Sequence, residues 1–110
     1  MARDCYKARL ELEIPDPGVI PRLVEDLGKA ISRSCGRPAE GPSWRVYTCG
    51  GTMVSIATTI PEPGLLMLPS SKVTILVESS EPEPVRSILD AISRVIREEY
   101  QRIVSIQLRL

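Results

Sequence analysis

The chain has no His, no Phe and no Asn; among its 110 residues Gln occurs only at Gln101 and Gln107, and Lys only at Lys7, Lys29 and Lys72. Without His, the side chain that most readily moves protons near neutral pH is missing, so catalysis would rest on carboxylates, Tyr, Cys or Lys. No spacing in the sequence brings two of these together. Glu11 and Glu13 share one face of a strand-like run, and Glu98 and Glu99 follow Arg97 in a helix-like run; both pairs read as solvated surface. The expectation is a protein that is not an enzyme.

Cys5, Cys35 and Cys49 form no CxxC pair, and a tetrahedral zinc site would need carboxylates to complete it, so neither a metal nor a cofactor is expected. Buried thiols are the expected state. A Cys5–Cys49 disulfide stays open, since intracellular bridges occur in hyperthermophiles and the sequence does not place the two Cα atoms. Scarce heat-labile amides, ten Pro and many ionic residues suggest a thermophile. Net charge is zero and the pI is about 6.3, which removes any global attraction to nucleic acid or anionic lipid. The longest apolar run, Leu65 to Leu68, falls far short of the roughly 20 residues a membrane helix needs. The start, "MARDCYKARL", lacks a signal peptide's apolar segment, and a cytoplasmic protein without membrane contact is expected.

What the sequence does contain is periodicity. In "YKARLELEI", Tyr6 to Ile14, apolar and charged residues alternate strictly, as in a strand with one buried face. "PDPG" breaks the ladder, and "VIPRLVEDLGKAIS" then places Ile20, Leu23, Val24, Leu27, Ala30 and Ile31 on one helical stripe, with Pro21 in the first turn. "WRVYTCGGTMVSIATTI" reads as two strands, Trp44 to Cys49 and Thr52 to Ile60, joined at Gly50 and Gly51. "KVTILVE" gives a strand near Val73 to Glu78. From Val85 an apolar stripe runs through Ile88, Leu89, Ile92, Val95, Ile96, Tyr100 and Ile103, with Asp90 one turn from both Arg86 and Arg94. The tail "VSIQLRL" alternates again.

The predicted order is β-α-β-β-β-α-β in one α+β domain over residues 1–110. It is an antiparallel sheet with both helices on one face, related to the ferredoxin-like arrangement by one extra strand. The other face, carrying Arg9, Glu11, Glu13 and by expectation Arg45 and Tyr47, is left open. Aromatics are 4%, and only Trp44 and Tyr47 fall on the strand pair, one on each face, too few for a base-stacking platform. Arg33 and Arg37 near the first helix's end, with Arg94, Arg97 and Arg102 near the second's, form the candidate nucleic-acid patch; helix-end capping and surface ion pairs explain the same arginines. Leu65, Leu66, Met67 and Leu68, fenced by Pro63 and Pro69, either fold back on the core or meet a partner.

At "VRSILDAISRVI", Val85 to Ile96, the chain resembles the small dimerising subunit of the KEOPS complex, the archaeal and eukaryotic assembly that makes threonylcarbamoyladenosine in tRNA. The family's helix is similar in having an aliphatic–Arg pair, then an Asn, then a long apolar stripe. Val85, Arg86, Asp90, Ile92, Arg94 and Ile96 fall in that register, with Asp90 where the family usually has Asn. "LELEIPDPGVIPRLVEDL" resembles the family's first strand, Pro-containing turn and first helix, and "WRVYTCGGTMVSIATTI" its glycine-turned hairpin. Pro61 to Glu78 has no counterpart in that pattern.

The resemblance implies an archaeal-type, non-catalytic subunit forming a homo- or heterodimer through sheets or helices. Its helical layer would meet a catalytic ATPase-fold subunit, and tRNA would be held indirectly. On this likeness Arg86, Asp90 and Arg94 are the partner-facing positions, beside an intrahelical ion pair as the plainer account of the same residues. A ferredoxin-like module binding RNA or a small ligand is the alternative.

Overall fold

The computed structural model describes residues 5–33, 35–59, 71–100 and, as a strand backbone, 105–109. Strand β1 (Tyr6–Ile14) keeps its alternation: Ala8, Leu10, Leu12 and Ile14 are buried, while Lys7, Arg9 and Glu13 are exposed. At its end the Asp16 carboxylate accepts a hydrogen bond from the Gly18 N–H at 2.9 Å, shaping a 3-10 turn (Pro17–Val19) that leads into helix α1 (Ile20–Ser32). Pro21 sits in the helix's first turn, where a missing N–H removes no bond. Leu23, Leu27 and Ile31 recur at helical spacing and are buried on the sheet.

Further strands and a second helix follow. They are β2 (Ala39–Glu40), β3 (Trp44–Cys49), β4 (Thr52–Thr59), β5 (Ser71–Ser79), α2 (Pro82–Val95) and β6 (Ser105–Arg109). Gly50, at φ 57°, supplies the left-handed residue of the two-residue β3–β4 turn. The last turns of the second helix change to π geometry over Ile96–Tyr100, which keeps Ile96 and Tyr100 inward behind Val85, Ile88 and Ile92.

The sheet is antiparallel with order β2-β3-β4-β5-β1-β6. The subset β6-β1-β5-β4 is the ferredoxin-like strand order. The additional strand β3 and the two-residue β2, which the sequence pattern did not predict, extend one edge. Val73, Ile75 and Val77 of β5 lie opposite Leu12, Leu10 and Ala8 of β1, all buried beneath the helices. Burying one such aliphatic side chain contributes roughly 1.5–3 kcal/mol, and this shared layer is where the fold is held. In β6, Ile106 and Leu108 take the register positions opposite Leu12 and Leu10, as the tail's alternation predicts.

Two expectations are corrected. Arg45 and Tyr47 do not lie on the open face: Tyr47 is opposite Val54 and Arg45 opposite Ile56, both core positions, so the pair sits on the helix-covered side and Tyr47 is buried. The disulfide joins Cys35 to Cys49, with Cα atoms 4.8 Å apart, and Cys5 is free and exposed. The register explains why Cys5 is excluded. Its neighbour Tyr6 is separated from Cys49 by β5 and β4, a span of about 14 Å at ~4.8 Å per strand, about twice a disulfide's reach.

Candidate functional site

The helix-free side of the sheet is a surface that no described element covers. Its positions fall in four rows running across the strands, because residues paired in an antiparallel ladder point the same way. Across β3, β4, β5 and β1, from one end of the strands to the other, they are Thr48, Met53, Glu78 and Lys7; Val46, Ser55, Leu76 and Arg9; Trp44, Ala57, Thr74 and Glu11; then Thr59, Lys72 and Glu13. Ala39 of β2 continues the Val46 row, and the register positions Arg109, Gln107 and Ser105 of β6 continue the last three. Two halves result. The β3–β4 half with the adjoining Leu76 holds the large apolar side chains of the face among Thr48, Ser55, Ala57 and Thr59, with Trp44 exposed to 44% and Met53 to 41%. The β1 half is charged, with Arg9 3.2 Å from Glu11 and Lys7 4.0 Å from Glu78 on β5. Part-exposed Val46, Met53 and Leu76, with Trp44 at the edge where its indole lies against Gly41, are side chains of the kind found at interface centres.

The apolar half was missed in the sequence because Trp44, Val46 and Met53 alternate just as core residues do. The signal that could have found it was the Gly50–Gly51 turn. A two-residue hairpin fixes Cys49 opposite Thr52 and Tyr47 opposite Val54, so Val54 and Ile56 on the core force Val46 and Met53 outward.

Of the residues singled out by sequence, Arg33 and Arg94 are brought together. They line a groove of about 380 Å³ between α1 and α2, with Lys29 on the same walls and Ala30, Ser87 and Ala91 among the smaller lining residues. Asp26, Glu98 and Glu99 also line it, so the groove carries as many acids as bases. Arg37, Arg86, Asp90 and Arg97 are exposed and stand outside it. Among the described residues no ion pair joins Asp90 to Arg86 or Arg94; Arg86 and Asp90 are exposed on the face of α2 away from the groove, while Arg94, also exposed, lines the groove. Leu65, Leu66, Met67 and Leu68 lie outside the described residues.

One tightly bonded cluster lies at the acidic end of the groove. The Tyr100 hydroxyl donates to Asp26 Oδ2 at 2.6 Å, and Arg22 lies 3.9 Å from both Asp26 and Glu99. The Tyr100 hydrogen bond, ahead of the nearby Arg22 charge, holds the Asp26 carboxyl below its ordinary range. Burial, then the bond to Asp26, pushes Tyr100 up to about 12. A phenol held protonated and a carboxylate held ionised form a fixed donor–acceptor tie between α1 and the π-helical segment, not a poised proton-transfer pair. Among the described residues no three His, Cys, Asp or Glu side chains are grouped to hold a metal, and no helix is long and apolar enough to cross a membrane.

No protein-family model matches the chain, and no curated protein matches it. Among solved structures, the chain is similar to the de novo designed protein Foldit4, with TM-score 0.69, 10% identity, and 96% of this chain and 94% of that one covered. That similarity is one of fold. A structure described as a putative PII-like signaling protein from Thermus thermophilus aligns over 96% of this chain and 87% of that one, with TM-score 0.42 and 16% identity.

Proposed function

We propose that the chain is a non-catalytic, dimerising subunit of a KEOPS-like complex that modifies tRNA to threonylcarbamoyladenosine. It acts by association: a second copy of the chain covers the open sheet face, and the outer face of α2 meets the complex's catalytic ATPase-fold subunit. The observation carrying the association is the half-exposed Trp44, Val46, Met53 and Leu76 on a sheet face that no described element covers. The resemblance at Val85–Ile96 supports the particular complex, and Arg86, Asp90 and Arg94 stand solvated where that resemblance implies a partner. tRNA is then held through the assembly, consistent with zero net charge.

Sedimentation velocity at micromolar concentration, followed by pull-down with the catalytic ATPase-fold subunit, tests this reading. A dimer retained by that subunit is expected. A chain that stays monomeric and ignores the subunit overturns the proposal.

The convergence of Lys29, Arg33 and Arg94 on one groove favours a second reading, a module binding RNA or a small anionic ligand between the helices. That reading predicts binding by the isolated chain that weakens with salt and is lost when Arg33 and Arg94 are replaced together. The three acids on the same walls count against it.

A further inference from the structure

The charges of the open face are ordered, and the order is the one that a two-fold copy of the same face satisfies. Along β1 the outward residues run Lys7, Arg9, Glu11, Glu13: two cations, then two anions. On the neighbouring strand the signs are reversed, with Glu78 beside Lys7 and Lys72 beside Glu13. A two-fold axis that crosses the strands between the Arg9 row and the Glu11 row lays each strand antiparallel on its own copy. Lys7 then faces the partner's Glu13, Arg9 faces the partner's Glu11, and Glu78 faces the partner's Lys72. Every pair is of opposite sign, and the symmetry forms each one twice. In the same superposition Val46 meets the partner's Trp44, and Leu76 meets the partner's Thr74. The hairpin half is thereby covered by its own copy, with Met53 opposite the partner's Thr59, while the charged half fixes the register.

The other simple arrangement fails on the same residues. An axis running along the strands keeps their direction, so each row lies on its own row. Centred on β1 it opposes Lys7 to the partner's Lys7 and Glu13 to the partner's Glu13, and centred on the hairpin it sets the charges of β1 and β5 away from their complements. Like charges facing each other across an interface cost several kcal/mol.

We infer that the open faces of two chains pack together in this antiparallel register, as an isologous sheet-on-sheet dimer. The inference rests on the dimerising reading above and names its surface, axis and pairs. Stacked sheets lie about 10 Å apart, within the combined reach of a Lys or Arg and a Glu side chain. Lys7 and Arg9 can change partners, since their side chains are 62% and 54% exposed, and exposed ion pairs such as Lys7–Glu78 and Arg9–Glu11 hold little energy.

Two charge sets test it. The first carries Lys7→Glu with Arg9→Glu, the second Glu11→Lys with Glu13→Lys. Each alone sets like charges face to face, and the dimer dissociation constant should rise at least about tenfold. Mixed in equal amounts, the two should recover dimers of one chain of each kind, read by native mass spectrometry with near wild-type affinity. A chain carrying all four changes restores complementarity with itself, so it should homodimerise yet not mix with wild type, which keeps the test decisive if either double variant folds poorly.

Failure of the parent reading shows differently, as a wild-type chain that is monomeric at every concentration. A wild-type dimer indifferent to both charge sets leaves dimerisation standing and overturns this interface. Folded monomers that do not recover on mixing overturn the register.

Discussion

Strands β1 and β5 and the β3–β4 hairpin belong to one sheet but divide their apolar residues differently. In the central pair every inward position but Tyr6, at the exposed start of β1, is aliphatic or small, and the outward positions are charged or polar except for Leu76. In the hairpin Tyr47, Val54 and Ile56 take inward positions while Trp44, Val46 and Met53 take outward ones among Thr48, Ser55, Ala57 and Thr59, so both faces carry large apolar side chains. A strand with one apolar face needs only the helices above it. A strand with two has more greasy surface than its own chain covers among the described residues, and the excess is what a partner can bury. The difference marks the central pair as the part that folds the chain and the hairpin as the part that exposes a surface.

Stability measurements separate the two regions most sharply. Leu12→Ala removes a fully buried side chain from β1 and should cost about 2–5 kcal/mol in urea unfolding. Val46→Ala on the open face should change the stability of the monomer by only about 0.5 kcal/mol, while weakening association. If Val46→Ala destabilised a dilute monomer as much as Leu12→Ala does, the outward surface would be core and the contrast would be wrong.

The hairpin meets the helical layer at Gly28, and the fit there is tight. A Cβ added at Gly28 would stand 2.5 Å from the Tyr47 hydroxyl oxygen, yet 3.7 Å from the ring carbon that carries it. Replacing a helical Gly by Ala ordinarily gains about 1 kcal/mol. Here the hydroxyl must move within a buried site, an overpacking cost of about 1–3 kcal/mol, so Gly28→Ala should be neutral to destabilising. In a Tyr47→Phe background the obstacle is gone, and the same change should stabilise by up to about 1 kcal/mol. A double-mutant cycle in thermal unfolding reads that reversal of sign. Its absence would mean that α1 does not lie on Tyr47 as closely as the hairpin register places it.

How far the sequence could be read follows from the same division. β1, β5 and both helices were legible because each has a single apolar face whose period names its element. The hairpin was located correctly but turned wrongly at Arg45 and Tyr47, since with apolar residues on both faces the local pattern holds no preference and only the pairing with Val54 and Ile56 decides. The Cys35–Cys49 bridge was illegible for a related reason: it depends on where α1 ends relative to the hairpin, a tertiary distance of 4.8 Å that no spacing encodes. The charge order Lys7, Arg9, Glu11, Glu13 was visible in the chain but meant nothing until the sheet supplied Glu78 and Lys72 beside it.

The smallest effect is expected where α1 is tied to the end of the second helix, through Tyr100 and Asp26. Tyr100 titrates near 12 when folded, above the ordinary 10.0. Its protonated form is therefore favoured by folding, and that stabilisation is complete below pH 10 and lost as pH rises from about 10 toward 12. Asp26 is shifted the opposite way, below its ordinary 3.8, so its contribution is present above that value and fades as pH falls through its lowered pKa. Tyr100→Phe removes the bond both shifts share. Its unfolding free energy, followed from pH 3 to 12, should lose the alkaline decline above pH 10 and show a shallower acid limb, with the middle of the profile lowered. A variant whose alkaline decline matched wild type would show that another group controls it and that the Tyr100–Asp26 bond does not join the helices in solution.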